Sequence, residues 1–173
     1  MTVTTHHAAS APRRVLAPGA ALLGLAVLAV VGGALAFEHI GGYIPCALCL
    51  EQREPYYFAA PVLAAAAVLA AIGRLGIARV LVAIGGVAMV YAAYLGVFHS
   101  GVEWGWWPGP TDCGAAAGPV DTSGGLLSQL DDRPPSCDEA AARFLGLSFA
   151  GWQVVAAVPL AIASFALAAK ART

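Results

Sequence analysis

The sequence predicts an all-α membrane protein: a four-transmembrane-helix bundle with two loops on its external face, the second long and mobile. Three observations carry this. The 173-residue chain is 60% hydrophobic and only 11% charged, with a mean hydropathy of +0.76, far more apolar than a soluble domain of its size. Four stretches free of acids and bases approach the roughly 20 residues needed to cross a bilayer. Basic residues gather at alternate ends of those stretches, the bias that fixes membrane orientation.

Residues 1–14 are polar, small and proline-containing and read as a disordered cytoplasmic tail; residues 15–173 read as one membrane domain. The first span covers about 15–37, preceded by Arg13 and Arg14. A cleaved signal peptide ending at Ala34-Leu35-Ala36 is the competing reading, against which the apolar run exceeds the usual h-region of about 7 to 15 residues. A loop of about 38–49 follows. The second span has its apolar core at 56–72 and extends upstream to about residue 50. Pro55 and Pro61 are tolerable there if neighbouring helices satisfy the freed carbonyls.

A tight turn carrying Arg74 and Arg79 leads to the third span, about 80–98. The long loop, about 99–148, is rich in Gly, Pro and Asp and lacks the apolar periodicity of an independent domain. The fourth span, about 149–169, is followed by Lys170 and Arg172. The basic clusters place both termini in the cytoplasm. All ten acidic residues, from Glu38 to Glu139, fall on the other side, where Trp104, Trp106, Trp107 and Trp152 suit the membrane interface. No basic patch interleaved with aromatics is present, so nucleic acid is not an expected partner.

All four cysteines, Cys46, Cys49, Cys113 and Cys137, lie on that external side, where disulfides persist. Cys46-Ala47-Leu48-Cys49 is a C-x-x-C motif at the membrane surface. Such spacing is common in exchange-active sites, whose thiols are acidified by helix N-termini and nearby cations, and closing so short a loop gives little stapling. Two inert disulfides are the plainer reading of the same residues. Zinc fits less well, because Cys113 and Cys137 are far apart and supply no second C-x-x-C; no metal is expected. Four cysteines allow three pairings, and the sequence leaves the choice open.

Arg53 follows Cys49 by four residues, which on a helix shares its face one turn on. A cation there favours the Cys49 thiolate, and the helix N-terminus adds to it. An interfacial arginine snorkelling to headgroups is the alternative. Glu51 and Glu54 flank it. His99, at the external end of the third span, can hydrogen-bond an oxygen of a bound molecule or meet interfacial water.

Cys46-Ala47-Leu48-Cys49 with Arg53, the order of the four spans, Cys113 and Cys137 before the fourth span, and Phe144-Leu145-Gly146-Leu147 followed by Trp152 together resemble the disulfide bond formation protein B family. These are the membrane oxidases of bacterial periplasmic disulfide formation. The resemblance implies an inner-membrane bundle with bound ubiquinone or menaquinone. It further implies that the protein reoxidises a periplasmic thioredoxin-like dithiol protein, of DsbA type, and passes the electrons to the quinone pool. By the same resemblance, Cys113 joins the partner in a mixed disulfide, with Cys137 as its mate. Cys46 and Cys49 form the quinone-proximal pair, Cys49 facing the quinone beside Arg53, and His99 stands where some relatives have a histidine near it.

The chain departs from that pattern at Glu51-Gln52, at Pro55 and in its longer tail, which leaves the start of the second helix open. Vitamin K epoxide reductase-like proteins also link cysteines to quinones, but their C-x-x-C typically follows the loop cysteines, whereas here it comes first. The non-enzymatic alternative is a four-span scaffold or transporter subunit with structural disulfides in its external loops.

Overall fold

The computed structural model describes residues 10–110 and 136–171 and is mostly helical. The elements are α1 (Ser10–His39), α2 (Ala47–Glu51), α3 (Glu54–Ala71), α4 (Leu75–Glu103), the strands β1 (Arg143–Phe144) and β2 (Leu147–Ser148), and α5 (Phe149–Lys170). Four segments, 13–39, 47–71, 75–103 and 149–170, are long and apolar enough to cross a membrane. Their outward faces remain apolar: Leu22, Leu25 and Ile162 are all largely exposed. A helix meeting water would carry polar residues there; these faces suit lipid.

Where helices meet, the side chains are small. Ala59, Ala66 and Ala70 of α3, Ala78 and Ala92 of α4, and Ala157 of α5 are fully buried beside Leu16, Leu63, Val82 and Met89. Without a hydrophobic driving force in lipid, such residues let helices gain contact by close approach. At Gly96 a Cβ would lie 2.8 Å from Val154 Cγ2 and 3.1 Å from the Ala150 oxygen, so glycine permits α4 and α5 to touch. Around the bundle, α3 packs against α1 and α4, and α4 against α5. The α1–α5 seam is less extensively packed.

The helix limits differ from the sequence expectation in instructive ways. α1 begins at Ser10, not 15, and α4 spans Leu75–Glu103 rather than 80–98, because helical hydrogen bonding continues beyond the apolar slab that hydropathy detects. α4 ends where Gly105 turns left-handed at φ 70°. The second span starts at Ala47 and is broken between α2 and α3. Pro55, in the first turn of α3, has no N–H to donate back to the Glu51 carbonyl.

Ahead of α5, the loop forms a two-residue hairpin with Arg143 opposite Ser148 and Phe144 opposite Leu147. Its turn residues, Leu145 at φ 52° and Gly146 at φ 83°, are both left-handed, as a type I′ turn requires. Two bonds dock it. The Ser148 hydroxyl accepts from Gly151 N–H at 3.2 Å, capping α5, and the Trp152 indole donates to the Phe144 carbonyl at 2.9 Å.

Candidate redox and cavity site

Cys46 stands just before α2 in extended conformation, φ −76° and ψ 171°, and its sulfur accepts the Cys49 backbone N–H at 3.4 Å. This is N-capping by a thiol: one of the helix's unpaired N–H groups finds an acceptor. The two sulfurs are 3.2 Å apart, and both cysteines are free. Cys46 is buried, with His99 Nε2 3.7 Å from its sulfur. The hydrogen bond from Cys49, helped by His99, outweighs burial and pulls the Cys46 thiol well below its ordinary value. Sequence reasoning expected activation at Cys49; here the side-chain hydrogen bond between the two thiols lowers Cys46 instead.

His99 is buried on α4. Its Nδ1 lies 2.9 Å from the Gln52 amide nitrogen, which also donates to the Leu95 carbonyl at 3.2 Å. The Gln52 main-chain carbonyl accepts from Gln153 Nε2 at 3.0 Å, tying the α2–α3 break to α5. One turn after His99, Glu103 brings Oε1 within 3.9 Å of Nε2, and both side chains are almost wholly enclosed. Its second oxygen, Oε2, is buried without a hydrogen-bond partner among the described residues.

Arg53 is the residue before α3, and its guanidinium donates to the Glu38 carboxylate at the end of α1. Arg53 and Cys49 line the same space, and Arg53 pairs with a carboxylate from another helix. That space is a cavity of about 480 Å³ beside the α1–α5 seam. Cys46, Cys49, Arg53, His99 and Glu103 form its polar end. Phe37, Tyr43 and Phe149 form an aromatic wall, with ring centroids 5.0 Å apart for Phe37–Phe149 and 5.7 Å for Tyr43–Phe149. Such a chamber suits a flat apolar ring with polar oxygens. The ligating atoms of Cys46, Cys49 and His99 also lie within 4.8 Å of one another, close enough for a metal ion.

Cys137 is disulfide-bonded and 1% exposed, in the same small buried cluster as Cys46, Leu48 and Val102. Cys113 lies outside the described residues. The structure thus gathers Cys46, Cys49, Arg53 and His99 around one cavity, with Cys137 in the cluster next to it. Sequence reasoning passed over Gln52 and Glu103 and gave Glu38 no role. Helical spacing offered a signal for two of them, three residues after Cys49 and four after His99; Glu38 had none, since its partner comes from another helix.

This fold and site define an integral membrane protein that holds a close thiol pair against an apolar cavity. The chain belongs to the disulfide bond formation protein DsbB family, whose family model matches residues 17–167, most of its length. It is accordingly a multi-pass membrane protein of a disulfide-forming oxidoreductase family. No curated protein and no solved structure gives a significant match.

Proposed function

We propose that the protein reoxidises a periplasmic thioredoxin-like dithiol protein and passes the electrons to a membrane quinone, ubiquinone or menaquinone. The membrane is the bacterial inner membrane, both termini are cytoplasmic and all four cysteines periplasmic, in keeping with Arg13, Arg14, Arg74, Arg79, Lys170 and Arg172 on one side. One observation carries this reading: Cys46 and Cys49 line the cavity, while Cys46 also shares a buried cluster with the disulfide-bonded Cys137. The thiol pair has one neighbour suited to thiol exchange and another suited to an apolar acceptor.

In this reading a partner thiolate attacks Cys113 and breaks its bond to Cys137. The released Cys137 thiolate then attacks Cys46, breaking the Cys46–Cys49 disulfide and freeing the Cys49 thiolate. Each exchange forms one S–S bond as it breaks another. The cavity fits a quinone: its aromatic wall accepts a ring, and Arg53, whose fork carries N–H groups beyond the one given to Glu38, offers a donor to a ring oxygen. A quinone bound there would supply the sink for two electrons and two protons. The partner's second thiolate resolves its mixed disulfide and leaves oxidised, and the released Cys113 thiolate attacks Cys137, restoring their bond and freeing the Cys46 thiolate. Cys46, 3.2 Å from Cys49, is then placed to close the disulfide again as those electrons leave.

The test is anaerobic mixing of purified protein with a reduced thioredoxin-like partner and quinone, followed by quinol absorbance. Catalytic quinol formation is expected, abolished by Cys113→Ser and by Cys49→Ser. No quinol with folded protein would leave a scaffold whose disulfides are structural.

A further inference from the structure

Gln52 is buried, and its side-chain amide sits between two groups on α4, the Leu95 carbonyl at 3.2 Å and His99 Nδ1 at 2.9 Å. A carbonyl can only accept, so the Leu95 contact fixes which end of the amide is nitrogen. That nitrogen can only donate. Its second hydrogen therefore meets His99 Nδ1, which must offer a lone pair, and in a neutral imidazole the proton then resides on Nε2.

The far side of the ring agrees with this. Nε2 faces the Cys46 sulfur at 3.7 Å and Glu103 Oε1 at 3.9 Å, both acceptors when ionised. The opposite tautomer would set N–H against N–H at Gln52 and a lone pair against sulfur and carboxylate. Imidazolium would suffer the same clash at Gln52. A proton on Nε2 also occupies the lone pair that a metal ion would need, so the Cys46, Cys49 and His99 cluster is arranged for hydrogen bonding.

We infer that Gln52 is a positioning residue that holds His99 neutral and protonated at Nε2, so that the imidazole presents an N–H to the Cys46 sulfur. The thiolate is stabilised by a donor that carries no full charge, which leaves it nucleophilic towards Cys49. The consequence for turnover rests on the thiol-oxidase reading above; the tautomer itself does not.

The test uses the reduced full chain in detergent, labelled with nitrogen-15 at histidine, without quinone or partner, and with His99 assigned by its loss in His99→Gln. Wild type should show a protonated Nε2 and an unprotonated Nδ1. Gln52→Met should lose that preference and Gln52→Glu should move a proton to Nδ1, both keeping the main-chain bond to Gln153. The pH midpoint of Cys46 alkylation, mapped by peptide mass, should rise in Gln52→Met by about 0.7 of a pH unit, a fivefold loss of thiol acidity. A wild-type signal for protonated Nδ1 overturns the inference, as does an unchanged tautomer in Gln52→Met. If a variant fails to accumulate, the wild-type spectrum alone decides. Because no quinone or partner is present, this result is independent of whether the protein proves to be a quinone-linked oxidase.

Discussion

Arg53 and Glu38, fifteen residues apart, are joined side chain to side chain across the α1–α3 contact, with the guanidinium and carboxylate only 12% and 25% exposed. The chain thus carries a cation to the cavity wall together with its counter-ion. Charge-assisted bonds of this kind are the stronger ones, and removing one partner leaves the other's charge partly buried.

Arg53→Gln should therefore destabilise the protein in detergent by about 1–3 kcal/mol. Glu38→Gln combined with Arg53→Gln should cost clearly less than the sum of the single changes. Arg53→Lys should recover only part, since an ammonium lacks the planar fork. Thermal unfolding of wild type and the four variants checks this, and an Arg53→Gln variant as stable as wild type would make Arg53 a headgroup anchor.

The Cys46 thiol, lowered from its ordinary value of 9.0 chiefly by the Cys49 hydrogen bond, links stability to pH in the reduced protein. The folded value lies below the unfolded one, so the thiolate's contribution is complete above about pH 9 and is lost as pH falls towards the folded value. Reduced wild type should lose melting temperature on acidification from about pH 9 to pH 5 more steeply than Cys46→Ser. Parallel profiles would remove the thiolate from Cys46.

Gly96 lies one turn before His99, where α4 meets α5. With Val154 Cγ2 only 2.8 Å from the site of a Cβ, Gly96→Val should force the helices apart and cost about 1–3 kcal/mol. It should also weaken the alignment of His99 with Gln52. Thermal unfolding, together with the His99 nitrogen spectrum, measures both effects; an unperturbed melting temperature would show the seam to be loose.

Leu145 pairs a left-handed backbone, φ 52°, with a side chain 79% exposed. Asparagine accepts this conformation far more readily than leucine. Leu145→Asn should hold or raise stability in detergent, by up to about 1 kcal/mol. A fall in melting temperature would mean that the leucine side chain anchors the hairpin in the apolar phase.

Hydropathy made the four spans legible because lipid demands long apolar runs, and the C-x-x-C announced where thiols would sit. Helix ends were harder to read. The chain stays helical beyond the slab, as at Val102 and Glu103, and Pro55 divides α2 from α3 at a place composition alone does not mark. Gln52 drew no role from the sequence, yet it is buried because the α2–α3 break turns it towards Leu95 and His99. The Arg53–Glu38 pair was hidden for a different reason: it depends on how α1 lies against α3. The motif Phe144-Leu145-Gly146-Leu147 was visible as a string, while its meaning as a hairpin held by Trp152 required the backbone.

The central claim is that the Cys46–Cys49 dithiol delivers its electrons directly to a quinone in the neighbouring cavity. The most direct measurement is a single turnover: pre-reduced Cys113→Ser/Cys137→Ser protein is mixed anaerobically with quinone and no partner, and quinol absorbance is followed by peptide mapping. The account predicts about one quinol per protein, with a Cys46–Cys49 disulfide formed at the same rate. Quinone left unreduced, with both thiols still free in a folded protein, would contradict it.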